Sequence, residues 1–228
     1  MGGVTRAPVP LWRRLLAELL GSAFLAAIVI GSGIAAQRLS PGQTGLELVE
    51  NAAATAAGLF AIILMFGPVS GGHFNPVVSF ADAAFGGLSW RDAAAYLPAQ
   101  VAGCIGGAVL ANLMFALPAI TISAKHRASG AHFLSEVIAT FGLLLVIFAL
   151  ARSGRGRSAP AAVGAYIGAA YWFTSSTSFA NPAITPAEAA DIIVPHRGEA
   201  GRAPASAAHH NASLSADSPQ GPASLTGN

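Results

Sequence analysis

Apolar stretches separated by short charged or Gly- and Pro-containing segments occupy most of the chain. A helix that crosses a bilayer needs about 20 mostly apolar residues, and five segments qualify. They run from about Trp12 to Ala36, from about Asn51 to Phe66, between Arg91 and Lys125 with an end near Pro118, from about Phe133 to Ala151, and from about Ala159 to Ser176. Lipid offers no partner to an open backbone, so such spans are predicted as helices. The first contains Glu18 and the fourth Glu136. Arg13-Arg14 before an apolar run has the look of a signal peptide, but the run is too long and carries Glu18, so it is predicted to stay as the first helix.

Composition supports a membrane protein. Of 228 residues, 54% are hydrophobic and 10% charged, against roughly 45–50% and 25% in soluble proteins. The 12 Lys and Arg and 10 Asp and Glu are scattered, which leaves no basic footprint for nucleic acid. Basic residues nonetheless divide between the two sides. With the N-terminus inside, internal segments hold Arg6, Arg13, Arg14, Arg91, Arg152, Arg155 and Arg157, and external loops hold Arg38, Lys125 and Arg127. The N-terminus is therefore predicted to be cytoplasmic, in a multi-pass protein of the cell membrane. Cys104 stands alone, which excludes an internal disulfide and multi-cysteine metal sites, and it is expected to fill a helix surface. From Ile192 onward Ser, Ala, Pro, Gly and His dominate. Residues 1–191 are expected to form the membrane domain and 192–228 a disordered polar tail.

An internal repeat organises the membrane part. Ala17-Glu18 opens one helix, a second follows, and then comes Gly71-Gly72-His73-Phe74-Asn75-Pro76-Val77. Ser135-Glu136 opens another, a helix follows, and then comes Thr177-Ser178-Phe179-Ala180-Asn181-Pro182-Ala183. Three spans in the first unit make the second enter from the opposite side, an inverted repeat with its site at the midplane. Asn is a favoured N-cap and Pro suits the first helical position, so each pair starts a short helix. The apolar stretches Val77 to Phe85 and Ala183 to about Ala190 are too short to span and suit half-helices. Meeting N-terminus to N-terminus, they aim two positive dipole ends at one point. Cations and protons are repelled there, and neutral solutes accept hydrogen bonds from the two Asn amides.

These residues resemble the aquaporin and glycerol-facilitator family of major intrinsic proteins. The resemblance rests on Ser70 to Val78, on Ala99-Gln100-Val101-Ala102-Gly103, on Glu18 and Glu136, and on Phe179 to Ala183, and covers roughly Leu11 to Thr185. It implies an all-α inverted-repeat helical bundle with two half-helices. It further implies a homotetramer in the lipid bilayer with one pore per subunit, conducting water or small neutral solutes without a cofactor. The pore motif would be Asn75, Pro76, Val77, Asn181, Pro182 and Ala183. Glu18 and Glu136 would accept hydrogen bonds from backbone amides of the half-helix loops, as a carboxylate among apolar residues requires.

The chain departs from the family's pattern in three places. Val77 replaces the usual Ala. Ile184 follows the second motif where water channels have arginine, which removes a charge barrier and several donors. Counting from the two Asn residues, the other constriction positions are Thr55, Ala169 and Ser178, all small. A wider, neutral constriction is expected, suited to glycerol-like polyols or uncharged metalloid hydroxides such as arsenous acid. In this the chain resembles the bacterial branch associated with trivalent arsenic. After Thr185, Pro186, Glu188 and Asp191 break the pattern, and the sixth transmembrane helix is expected to be missing. A truncated, nonconducting relative is the resulting alternative.

Other residues have simpler readings. His73 is placed at the pore mouth, while His209 and His210 lack companions at metal-ligand spacing. Gly103, Gly107, Gly164 and Gly168 have the spacing of close helix crossings. Trp12, Trp90 and Tyr96 fall near span ends, where aromatic residues anchor. No phosphate loop, metalloprotease motif or nucleophile constellation is present, so no catalytic or metal-binding residue is assigned. A secondary transporter shares the inverted repeat but needs a coupling-ion site, and carboxylates beyond Glu18 and Glu136 are lacking in the spans.

Overall fold

Every regular element among the described residues is helical: α1 (Leu11–Leu39), α2 (Thr44–Ser70), α3 (Pro76–Ala84), α4 (Trp90–Met114), α5 (Gly130–Arg152) and α6 (Ala159–Phe173), with a 3-10 turn over Gly156–Ser158. The computed structural model describes residues 9–120, 130–175 and 180–184. The continuation of the second half-helix beyond Ile184, the expected absence of a sixth helix and the tail over 192–228 lie outside them.

Helices α1, α2, α4 and α5 are long and apolar enough to cross a membrane. At 15 residues, α6 spans about 22 Å, short of a hydrocarbon core of about 30 Å. Helix α2 starts at Thr44 and not near Asn51, because its polar first turn is helical too. Glu47 there suits the positive end of the helix, and Glu50 accepts a 2.8 Å bond from the Ser40 hydroxyl. At its other end α2 stops at Gly71, whose φ of 97° is the left-handed cap that reverses the chain. Helix α3 follows at once, with Asn75 as N-cap and Pro76 in the first turn.

Small residues set how closely the helices cross. A side chain at Gly103 would strike the Leu19 carbonyl of α1, and one at Gly107 the Ala23 carbonyl. Gly164 of α6 stands in the same way over the Ala56 carbonyl of α2. Backbones approach closely at α1–α4 and α2–α6, where dispersion takes over from the hydrophobic effect as the source of adhesion in lipid. Leu25, Val29 and Ile30 of α1 join Leu59 and Ile62 of α2, Leu143 of α5, and Val163 and Ile167 of α6 in one core.

Two expectations are corrected here. Cys104 does not fill a helix surface; it is fully buried where Gly103 and Gly107 draw α4 against α1. Tyr96 is not an interfacial anchor either: it is fully buried and its hydroxyl donates 2.8 Å to the Ser70 carbonyl at the end of α2. Arg14 reaches the same hydroxyl through Nε at 2.8 Å and pairs with Asp92 at 3.0 Å. A phenol needs a partner when it is buried, and this one ties three helices together. Trp12 and Trp90 remain exposed.

Candidate functional site

The two Asn-Pro pairs meet in the interior. Asn75 caps α3 by accepting from the Val77 amide at 2.9 Å, and Asn181 accepts from the Ala183 amide at 3.1 Å. Their amide nitrogens cross over: Asn75 Nδ2 donates to the Ala180 carbonyl at 2.6 Å and Asn181 Nδ2 to the Phe74 carbonyl at 2.8 Å. For these carbonyls to turn toward the opposing side chain, Phe74 and Ala180 take φ of 49° and 46°. That region is unfavourable for residues with a Cβ and persists only where the surroundings hold it. Each Asn amide carries two hydrogens and commits one to the opposing carbonyl, which leaves one for the cavity that both residues line.

Buried carboxylates hold these strained turns. Glu18, fully buried in α1, accepts from Ser70 Oγ at 2.6 Å, the His73 amide at 3.1 Å, the Phe74 amide at 2.7 Å and Gln100 Nε2 at 2.8 Å. Gln100 Nε2 also reaches Ser79 Oγ at 3.0 Å, which braces α3 against α4. In the second repeat, half-buried Glu136 accepts from the Ala180 amide at 2.8 Å. Phe74 and Ala180 occupy equivalent places, each just before its Asn, so the repeat extends to the hydrogen-bond pattern.

A cavity of about 330 Å³ runs along this junction. It is lined by Asn75 and Asn181, by Thr55, Tyr171 and Ile184, and by Gly71, His73, Asp82 and Phe148, with Leu25, Leu59, Leu143 and Val163 among its apolar walls. Of the residues counted from the two Asn, Thr55 and Ile184 line this cavity. Ala169 does not: it is exposed, and Ala159, Val163, Ile167 and Tyr171 are the α6 residues that line the cavity. At about 100° per residue, a position midway between two inward residues points outward. Ser178 lies outside the described residues. The Tyr171 and Thr55 hydroxyls are 3.1 Å apart, a buried polar contact between α6 and α2.

His73 lines the cavity with its ring steadied by Ser79, Nδ1 to Oγ 3.1 Å, and by an edge contact with Tyr96. Val77 sits in the first turn of α3, and Pro182 and Ala183 in the turn after Asn181. Sequence reasoning did not single out Ser79, Tyr171 and Asp82. For Ser79 and Asp82 a signal existed, since both are polar residues inside an apolar half-helix. Among the described residues no group of His, Cys, Asp and Glu has the arrangement of a metal site.

Residues 6–191 match the family described as major intrinsic protein. The chain is 52% identical over 174 residues to the aquaglyceroporin AqpS of Rhizobium meliloti (strain 1021), an alignment that covers 76% of this chain and 74% of AqpS. It is 43% identical over 112 residues to Aquaporin-10 of Milnesium tardigradum, covering 49% of this chain and 27% of that protein. Aquaporin NIP1-2 of Arabidopsis thaliana is 34% identical over 172 residues, covering 70% of this chain and 57% of the plant protein. Of the last two relatives this chain spans less than two thirds.

Proposed function

The chain belongs to the major intrinsic protein family, whose members are passive channels for water and small solutes and not enzymes, and on that premise we propose that its pore conducts neutral solutes larger than water. It is a multi-pass membrane protein. Glycerol-like polyols and uncharged metalloid hydroxides such as arsenous acid are the solute classes this reading takes. The observation that carries it is the crossed Asn75–Asn181 pair inside a cavity also lined by Thr55, Tyr171 and Ile184, with an isoleucine in place of a cation.

The chemistry follows from the donors. A neutral solute trades hydration for the spare hydrogens of Asn75 and Asn181, while a cation meets the positive end of α3 and the donors of the Asn181 turn and gains nothing from amide hydrogens. Ile184 adds neither charge nor donor, so solute size and hydroxyl pattern decide passage. Thr55, Tyr171 and Ile184 are assigned to the constriction, Glu18 and Glu136 to support of the loops, and His73 to the mouth on the α3 side. A homotetramer in the cell membrane, with the N-terminus in the cytoplasm, completes the proposal. Exposed Leu16, Leu20 and Phe24 on α1 and Phe133, Val137 and Phe141 on α5 give it apolar faces for lipid or neighbouring subunits.

Stopped-flow light scattering of proteoliposomes tests it with gradients of glycerol and arsenous acid. Faster equilibration than in empty vesicles is expected for both, and water transport with both solutes excluded contradicts the wide-pore reading.

A further inference from the structure

Asp82 has no part in holding the half-helices, yet it faces the cavity. It stands two turns beyond Asn75 on α3, and Asn75, Val78 and Asp82 line the cavity together. Helix stability does not explain an acid there, because the last turn of α3 is the negative end of its dipole. Among the described residues the carboxylate pairs with His73, Nε2 to Oδ2 3.6 Å. That separation exceeds a hydrogen bond. The ring is held from behind, since Nδ1 lies 3.1 Å from the Ser79 hydroxyl.

A donor and an acceptor this far apart do not satisfy one another, but one hydroxyl oxygen about 2.8 Å from each satisfies both. Ser79 Oγ accepts from Gln100 Nε2 and has both the Asn75 carbonyl and His73 Nδ1 at 3.1 Å as acceptors for its hydrogen. In the tautomer whose Nδ1 takes that hydrogen, Nε2 carries a proton, and the bridging oxygen accepts from Nε2–H and donates its own hydrogen to Asp82. We propose that His73 and Asp82 form a binding station for hydroxyl-bearing neutral solutes, polyols foremost, on the α3 side of the cavity. The inference rests on the channel reading above, because solute reaches the pair through the same cavity. Water also bridges such a pair, but a polyol that does so keeps further hydroxyls for Asn75 and Asn181. Solutes without an O–H or N–H donor, and anions, gain nothing from the carboxylate. The station therefore sorts neutral solutes by their donors, which the Asn pair, itself a donor, does not do.

The test uses the full chain in proteoliposomes, as wild type, Asp82→Asn and Asp82→Ala, with glycerol and water as probes. The ratio of glycerol to water permeability is expected to fall roughly fivefold in Asp82→Ala and less in Asp82→Asn, which keeps one acceptor oxygen. A ratio unchanged in both variants overturns the proposal. Infrared difference spectra on adding glycerol give a readout that needs no flux. A carboxylate-stretch change present in wild type and absent in Asp82→Asn supports the station, and identical spectra overturn it. A wild type that passes neither probe overturns the channel reading, and the infrared comparison then decides the station by itself.

Discussion

Asn75 and Asn181 each donate to the carbonyl that precedes the other, at 2.6 and 2.8 Å through Ala180 and Phe74. The two half-helix starts are thereby a single unit. Each Asn caps its own turn, fixes the opposing backbone and presents a remaining hydrogen to the cavity.

Replacing either Asn with Asp separates these duties. Asp is an equally good N-cap, so Asn181→Asp retains the turn, but it cannot donate and places a negative charge at the junction. Glycerol flux is expected to fall tenfold or more and a proton or sodium leak to appear, measured with a pH-sensitive dye and a sodium electrode on the same vesicles. Unaltered glycerol flux without a leak contradicts the assignment of Asn181.

Removal of the Glu18 carboxylate strands its donors. In Glu18→Ala the Ser70 hydroxyl and two backbone amides lose their acceptor, and Gln100 Nε2 keeps only Ser79 Oγ, at ~1–3 kcal/mol for each buried group left unpaired. The variant is expected to unfold at markedly lower temperature in detergent, followed by fluorescence-detected size exclusion after heating. Glu18→Gln, which keeps one carbonyl acceptor, is expected to fall between it and wild type.

Ile184 is the position where a charge returns most directly. Ile184→Arg introduces a planar group with five donors into the cavity that Thr55 and Tyr171 also line. Glycerol permeability is expected to drop about tenfold relative to water permeability, read by stopped flow with the two gradients in one preparation. An equal drop in both would mean a blocked pore and not a narrowed one.

Gly103 and Gly107 set the α1–α4 crossing. A valine at either place meets carbonyl oxygens of Leu19 or Ala23, backbone atoms that cannot move aside as a side chain does. Overpacking of this kind costs about 1–3 kcal/mol or more, so Gly107→Val is expected to lower the yield of monodisperse protein, while Gly106→Ala, whose added methyl meets open space, leaves it unchanged.

Polar residues in apolar surroundings were the legible part of the sequence. Glu18, Glu136 and the two Asn-Pro pairs stand out because lipid and core make every hydrogen-bonding group accountable, and their order along the chain exposed the repeat. The facing of α6 was hard to read, since its residues are almost uniformly apolar and no polar face opposes the row of Val163, Ile167 and Tyr171 that lines the cavity. Counting back from Asn181 therefore gave Ala169, whereas Tyr171 faces the cavity. Tyr96 misled for the opposite reason: an aromatic residue near a span end suits the interface equally well, and only the carbonyl of Ser70, brought near by the end of α2, places it inside. The α2 boundary was trimmed because Glu47 and Glu50 belong to the helix but not to its apolar stretch.

One vesicle preparation tests the central claim directly: purified chain at known orientation, with glycerol equilibration by light scattering and proton leak by an entrapped dye recorded on the same sample. Conduction of neutral solute through the Asn75–Asn181 junction predicts glycerol flux well above empty vesicles, abolished together with the donors in the Asn75→Asp, Asn181→Asp double variant, and a wild-type proton leak no greater than the lipid's own. Correctly inserted protein with glycerol flux equal to that of empty vesicles, or with a proton leak that rises with protein content, would contradict it.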